Sequence, residues 1–152
     1  PGIHPEFFKA IDFEQFETTA GDNLVRMTAP TKGSLFYRGR WLWMWPNWTL
    51  SFFNGGMNTS RINPLGVDRT ELIYDFYFSD VSDAVSDSRQ ETIQRNIAVI
   101  EQDFDICIHT HQNYLSGGYQ PGPLSPRHEK GVHLFQDLVK QHIGKAREAL
   151  AD

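Results

Sequence analysis

A single cysteine, Cys107, stands in a chain of 152 residues. No intramolecular disulfide can form, and a reducing, cytoplasmic setting is expected. One thiol is also too few for this chain to hold an iron–sulfur cluster alone. Positive charge is scarce: 14 Lys and Arg against 19 Asp and Glu leave a net charge of −5. That lacks the basic footprint of a nucleic-acid binder. Long apolar runs are missing as well. The most apolar stretch, "WLWMW", is far below the roughly 20 residues a membrane helix needs, and no basic-plus-apolar leader precedes it. Neither nucleic acid nor a membrane is therefore expected as a partner. No Ser/His/Asp elbow, phosphate-cradling glycine loop or Cys-x-x-Cys pair is present. An initiator Met is lacking too, and the opening "PGIHPEFFKAID" suggests a chain cut at its N-terminal side.

What the chain does carry is aromatic mass, 11 Phe, 5 Tyr and 4 Trp, much of it between Phe36 and Phe78. Hydrophobic and charged shares of 39% and 22% are those of an ordinary globular domain rather than a disordered one. The length fits one domain, residues 1–152. The segment "HPEFFKAI" reads as one or two helical turns. "FEQFETT" and "NLVRMTA" read as strands around an "AGDN" turn, and residues 30–40 as a loop. "WPNWTLSFFNGG" reads as a strand closed by a Gly-Gly turn. "NTSRIN", "PLGVD" and "RTELIYDFYF" form a hairpin, with Leu72, Tyr74, Phe76 and Phe78 on one face of its return strand.

From about Ser86 the period changes. Ile93, Ile97, Ile100, Phe104, Ile108 and His111 recur at three and four residues, the stripe of an amphipathic helix, with "SDSRQE" as its N-cap and early acids. A Gly/Pro loop, "LSGGYQPGPLSP", leads to a second helix from about Arg127, striped by Val132, Phe135, Leu138, Val139 and Ile143. Sheet first and helices after make an α+β domain.

The first helix concentrates the candidate chemistry in "EQDFDICIHTHQ". Glu101, Asp105 and His109 follow i, i+4 spacing, which could make a surface metal site but is more often just a solvated face. His111 falls on the apolar stripe, where a hydrogen-bonded core histidine is the common occupant. Asp103 lies on the flank of the stripe, where a carboxylate reaching toward the sheet needs a cation or a donor. Periodicity alone does not choose between Asp103 and Glu101. Cys107, with no basic neighbour in sequence, reads as an inert buried thiol. On these grounds a binding domain and an enzyme are equally open.

The order of segments narrows the choice. "WMWPNWTLSFFNGGMNTSRINPLGVDRTELIYDFYF", followed by "IEQDFDICIHTHQNYLSGGYQPGPLSPRHEKGVHLFQDLV", resembles the catalytic domain of Rieske non-haem iron oxygenase large subunits. These are the aromatic-ring dioxygenases and their choline and betaine monooxygenase relatives. The resemblance runs from His4 to about Val139, and its second block is the more specific. It implies a helix-grip fold, a curved antiparallel sheet wrapped around a long helix. It also implies a mononuclear Fe(II) held by two histidines and one carboxylate, as catalytic and metal-binding residues. His4 in "PGIHPEF" matches the second histidine, with the first lying upstream of Pro1. Asp103 matches the carboxylate through its "E-Q-D" context and its distance from Gln112.

The same resemblance implies a [2Fe–2S] Rieske cluster in a domain missing here, and NAD(P)H electrons delivered by a separate reductase or ferredoxin. It implies a homotrimer, and oxygen insertion from O2 into a small aromatic or quaternary ammonium substrate. The isolated chain, with two of three ligands, is expected to bind iron weakly and not to turn over. A non-enzymatic helix-grip domain carrying an apolar ligand in an aromatic cavity is the rival expectation.

Overall fold

A computed structural model describes residues 15–30, 39–53 and 55–150. The helical turns expected around "HPEFFKAI", most of the 30–40 loop and His4 itself lie outside the described residues. The described part is α+β, as expected, and its long helix against an antiparallel sheet agrees with the helix-grip arrangement. Six strands follow in chain order: β1 (Glu17–Gly21), β2 (Leu24–Ala29), β3 (Gly39–Met44), β4 (Trp48–Phe53), β5 (Gly56–Pro64) and β6 (Thr70–Phe78). Each pairs antiparallel with the next, so sheet order and sequence order coincide. A short 3₁₀ turn, Asp83–Val85, then leads into α1 (Ser86–Leu115), and α2 (Lys130–Ala149) follows.

The turns obey their residue types. Asp22 takes φ 50° between β1 and β2, in the expected "AGDN" turn. Gly55 takes φ 82° between β4 and β5, a left-handed conformation that only glycine adopts without strain. Residues 65–69 close the β5–β6 hairpin, with the Leu65 and Gly66 amides donating to the Arg69 carbonyl at 2.9 and 3.1 Å. Two features depart from expectation. β3 was not anticipated, because "GRWLWM" shows no period-2 alternation; its Trp41 to Met44 are half-buried on both faces. And α1 has no side-chain N-cap from "SDSRQE". The 3₁₀ turn feeds it directly, and Arg89 Nη1 instead donates to the Ser82 carbonyl at 2.6 Å.

Register decides which side chains look inward. Opposed partners share a face of the sheet, so one row crosses all six strands as Ala20, Val25, Trp43, Thr49, Ser60 and Tyr74. The neighbouring row on that face is Thr18, Met27, Trp41, Ser51, Asn58 and Phe76. Both helices lie over this face. α2 covers the β1–β3 side, where Phe135 meets Trp43 edge-on at 5.5 Å between centroids and His142 lies 4.7 Å from Trp45. Its N-terminal turn comes close enough that a Cβ on Gly131 would stand 2.9 Å from a Val25 methyl. Leu138 and Val25 are buried in that contact region. Most of the Trp mass is therefore packing.

α1 crosses the β5–β6 side. Asn58 on β5 donates to Asn96 Oδ1 at 3.4 Å, and Asp103 lies close enough to Tyr74 on β6 to raise its pKa electrostatically. Moving from Asn58 to Tyr74 crosses one strand and two residues of register, so α1 runs diagonally toward the β6 edge. Phe104 and Ile108 of the expected stripe are 46% and 55% exposed. Cys107, expected to be buried, is exposed.

The two glycines of α2 should respond oppositely to alanine. Gly144→Ala has open space around it and is expected to stabilise by up to about 1 kcal/mol through helix propensity. Gly131→Ala must push on Val25, and crowding of about 1–3 kcal/mol should outweigh the same propensity gain. Urea midpoints of the two variants, compared with the parent, check the opposite signs.

Candidate metal centre

Asn96 fixes the orientation of α1, because it touches the sheet directly. Its own Nδ2 donates back to the Thr92 carbonyl at 2.8 Å, which leaves Oδ1 for Asn58. At 100° per residue, Asp103 lies seven residues on and only about 20° around from Asn96. Glu101 lies about 140° away, on the outward side. Both carboxylates are exposed, but the structure brings Asp103 rather than Glu101 within electrostatic reach of the sheet residue Tyr74. The apolar stripe was a poor guide because Ile97, Phe104 and Ile108 sit about 100° around from the Asn96 line.

Opposite Asp103 is Tyr74, half-buried at the end of the inward row. Its hydroxyl is hydrogen-bonded to Ser60, and Ser60 Oγ is hydrogen-bonded to Thr49 Oγ1. Ser60 is 2% exposed. Burial pushes the Tyr74 phenol above its usual range, the Ser60 hydrogen bond acts against that, and the negative charge of Asp103 adds a smaller upward push. Among the described residues no Lys, Arg or His forms an ion pair with Asp103; the pairs present are Arg95–Glu91 and His133–Asp137. The carboxylate is exposed and carries no ion pair among the described residues, so it is open to a metal, and it is a hard oxygen donor of the kind that suits Fe(II) as one member of a His/carboxylate set. On this count Asp103 fits the implied metal.

The other candidates fare differently. Glu101, Asp105 and His109 are all exposed, as is Asp103. No group of three or more His, Cys, Asp or Glu among the described residues could hold a metal ion. The spacing there reflects a solvated face. His111 is half-buried, but its Nε2 is buried without a partner among the described residues, unlike the hydrogen-bonded core histidine expected. It also sits about 12 Å along the helix from Asp103, too far to share an ion with it. His4 lies outside the described residues, so the pairing expected between His4 and Asp103 is not among the contacts described.

Two clefts open elsewhere. One of about 450 Å3 runs along α2 past Glu129, His133 and Asp137. One of about 1000 Å3 is bordered by Phe16, Thr18, Arg40, Arg127 and Lys130. Neither touches Asp103, and Phe16 is the one aromatic lining them, so the aromatic cavity expected from composition does not correspond to either. Sequence reasoning passed over Tyr74, Ser60 and Thr49. The signal was available: hydroxyl side chains at inward positions of adjacent strands, where a helix-covered sheet ordinarily places apolar ones.

Comparison with known proteins covers nearly the whole chain. Residues 2–145 match the family model described as the ring hydroxylating alpha subunit (catalytic domain). Choline monooxygenase, chloroplastic, from Atriplex hortensis is 24% identical over 146 residues, covering 93% of this chain and 33% of that protein. The proteins of the same name from Amaranthus tricolor and Spinacia oleracea are 21% and 22% identical over 150 residues, in each case 94% of this chain and 34% of the relative. The chain thus spans about a third of the length of these curated relatives. No solved structure matches. With the family match running over nearly all of its length, the chain belongs to the catalytic-domain family of ring-hydroxylating alpha subunits.

Proposed function

We propose that this chain is the catalytic part of a Rieske-type non-haem iron oxygenase, a terminal component that inserts oxygen from O2 into a small organic substrate. The observation that carries the reading is the orientation of Asp103. Of the two carboxylates in "E-Q-D", it is the one near the Asn96 line of α1, within electrostatic reach of Tyr74 and without a cationic partner among the described residues. Asp103 would supply the carboxylate, His4 one imidazole, and a histidine before Pro1 the other. Two imidazoles and one carboxylate leave open positions on Fe(II) at which dioxygen and substrate can meet.

The protein's own contribution is to aim and shelter. Asn58 and Asn96 tie α1 to β5 two turns before the carboxylate, fixing the rotation of the helix. Phe76 and Tyr74, 5.9 Å apart between centroids, form an aromatic patch on the same face as Asp103's partner. Such a patch suits either an apolar ring or a quaternary ammonium group. The relatives' name, choline monooxygenase, favours the ammonium class for this chain as well. A Rieske [2Fe–2S] domain, an NAD(P)H-linked reductase or ferredoxin and a trimeric assembly complete the proposal, on the strength of family membership. So does a single catalytic domain over 1–152, with the remaining ligand supplied by preceding chain. A reducing compartment suits the lone thiol, which is exposed; the relatives' names specify the chloroplast.

The test is made on the full-length protein. Asp103→Ala should reduce bound iron to background and product formation by more than about a hundredfold, while Glu101→Gln retains both; iron content and O2 uptake check this. Unchanged iron in Asp103→Ala would leave the rival, a metal-free helix-grip domain that binds an apolar ligand. Anomalous scattering at the iron edge should place the metal within about 2.2 Å of an Asp103 oxygen.

A pH dependence follows from Tyr74. Its folded pKa is raised above the unfolded value near 10. The neutral phenol therefore contributes stability that is fully present below about pH 10 and is lost as pH rises through the raised folded value. Tyr74→Phe should flatten the alkaline limb of the stability profile above about pH 10 and leave its neutral region parallel to the parent's. Chemical denaturation across that range is the measurement.

A further inference from the structure

Sheet order follows chain order, so β6 pairs with β5 alone and forms an edge of the sheet. The hydrogen bonds at its two ends fix which of its backbone groups are in use. The Leu65 amide donates to the Arg69 carbonyl and the Ser79 amide to the Gly55 carbonyl, both at 2.9 Å. In antiparallel pairing, residues bonded across the pair alternate with residues that turn away. Glu71, Ile73, Asp75 and Tyr77, in step with Arg69 and Ser79, therefore turn their N–H and C=O groups toward β5. The far side of β5 agrees. There the Ile62 amide donates to the Asn47 carbonyl, so even-numbered β5 residues serve β4 and odd-numbered ones serve β6. Thr70, Leu72, Tyr74, Phe76 and Phe78 thus aim five donors and five acceptors out of the sheet, along about 30 Å of strand. Among the described residues no backbone group bonds to them across that edge.

Such an edge is a template for another strand, and proteins ordinarily blunt it with Pro, Lys, a bulge or an inward charge. β6 has none of these. "TELIYDFYF" holds neither Pro nor Lys, and its nine residues pair with β5 without a skip. Its two acids, Glu71 and Asp75, belong to the outward row, while Leu72, Tyr74, Phe76 and Phe78 belong to the inward one. We propose that β6 is a docking edge, and that its occupant is a strand from the part of the longer protein outside these 152 residues.

Length and charge favour that occupant over a second copy. This chain spans only 33–34% of the relatives it matches, so a protein of their length has chain to spare. A tethered segment reaches the edge at an effective concentration of the order of millimolar, without the cost of bringing two molecules together. A two-fold copy paired through β6 would share the inward face, because opposed residues do. Its own α1 would then lie beside the first, bringing the exposed Glu101 and Asp105 of both helices together in chains of net charge −5. A single added strand avoids this. It widens the face under α1 by about 4.8 Å, and α1 has surface to spare, since none of its residues is fully buried. The edge also specifies the strand: apolar at positions beside Leu72, Tyr74, Phe76 and Phe78, and polar or basic at those beside Glu71 and Asp75. None of this depends on the iron ligands, so the metal test and the one below fail separately.

The experiment is hydrogen exchange on the full-length protein, read amide by amide along β6. Ile73, Asp75 and Tyr77, bonded to β5, set the reference. Leu72, Tyr74 and Phe76 are expected to exchange within about tenfold of them, as amides of a strand paired on both sides do. Exchange more than about a hundredfold faster at these three, alternating with slow neighbours, means an open edge and overturns the proposal. The measurement is repeated after hundredfold dilution. Protection that falls with dilution marks a second copy as the occupant and overturns the proposal as well. A crystal structure of the full-length protein reads the same point directly. A strand of the same polypeptide hydrogen-bonded to the Leu72, Tyr74 and Phe76 amides supports the proposal, and a bare edge or a strand from another copy overturns it.

Discussion

The antiparallel register of the six strands is the constraint on which everything else depends. Because every strand pairs with its sequence neighbour, a one-residue slip in any pair would turn the residues beyond it to the opposite face. The inward row would then lose Val25 and Trp43 from beneath α2, or Ser60 and Tyr74 from beneath α1. The turns hold that register. Asn47 is the clearest case: its Nδ2 donates to the Ile62 carbonyl at 3.0 Å and to Asn63 Oδ1 at 3.2 Å, while the Ile62 amide donates to the Asn47 carbonyl at 3.0 Å. One side chain and one carbonyl thus lock the β3–β4 turn to β5, the strand that carries Asn58 and Ser60.

The two helices are attached to this face by different chemistry. α2 is held by apolar and aromatic contact, with Phe135 on Trp43 and Trp45 and with Leu138 buried. α1 is held more by polar contact, and none of its residues is fully buried. Asn58 and Ser60, at 3% and 2% exposure, are buried polar side chains. Groups of that kind are costly unless partnered, and Asn58 Oδ1 has no partner among the described residues. An arrangement that accepts polar atoms under a helix gives up stability at that point. It is what the chain does beside the carboxylate proposed as a metal ligand.

How much of this was legible in the sequence differs from element to element. The β5–β6 hairpin was readable because "PLGVD" marks the turn and "LIYDFYF" alternates. α2 was readable because its stripe coincides with the face it buries. β3 was hidden because both of its faces are half-buried, so the alternation that marks a strand is absent. In α1 the periodicity was correct and its interpretation was not. The apolar stripe and the Asn96 line are different lines on the same helix, so the stripe did not show that Asp103, though exposed, comes within electrostatic reach of Tyr74. Only a long-range contact, Asn58 with Asn96, could show that, and no local pattern encodes it. The family resemblance chose Asp103 independently of any of this geometry.

The diagonal path of α1 also makes the helix a lever with unequal arms. Its fulcrum is the contact at Asn96. Asp103 lies about 10 Å from that point, whereas Leu115 at the far end lies about 28 Å from it. A tilt of about 5° would swing the end of the helix by roughly 2.5 Å while displacing the carboxylate by less than about 1 Å. Whatever touches the C-terminal turns of α1 therefore acts on Asp103 with its displacement geared down nearly threefold. The carboxylate thus sits near the still point of the helix, where a shift at the far end is felt least.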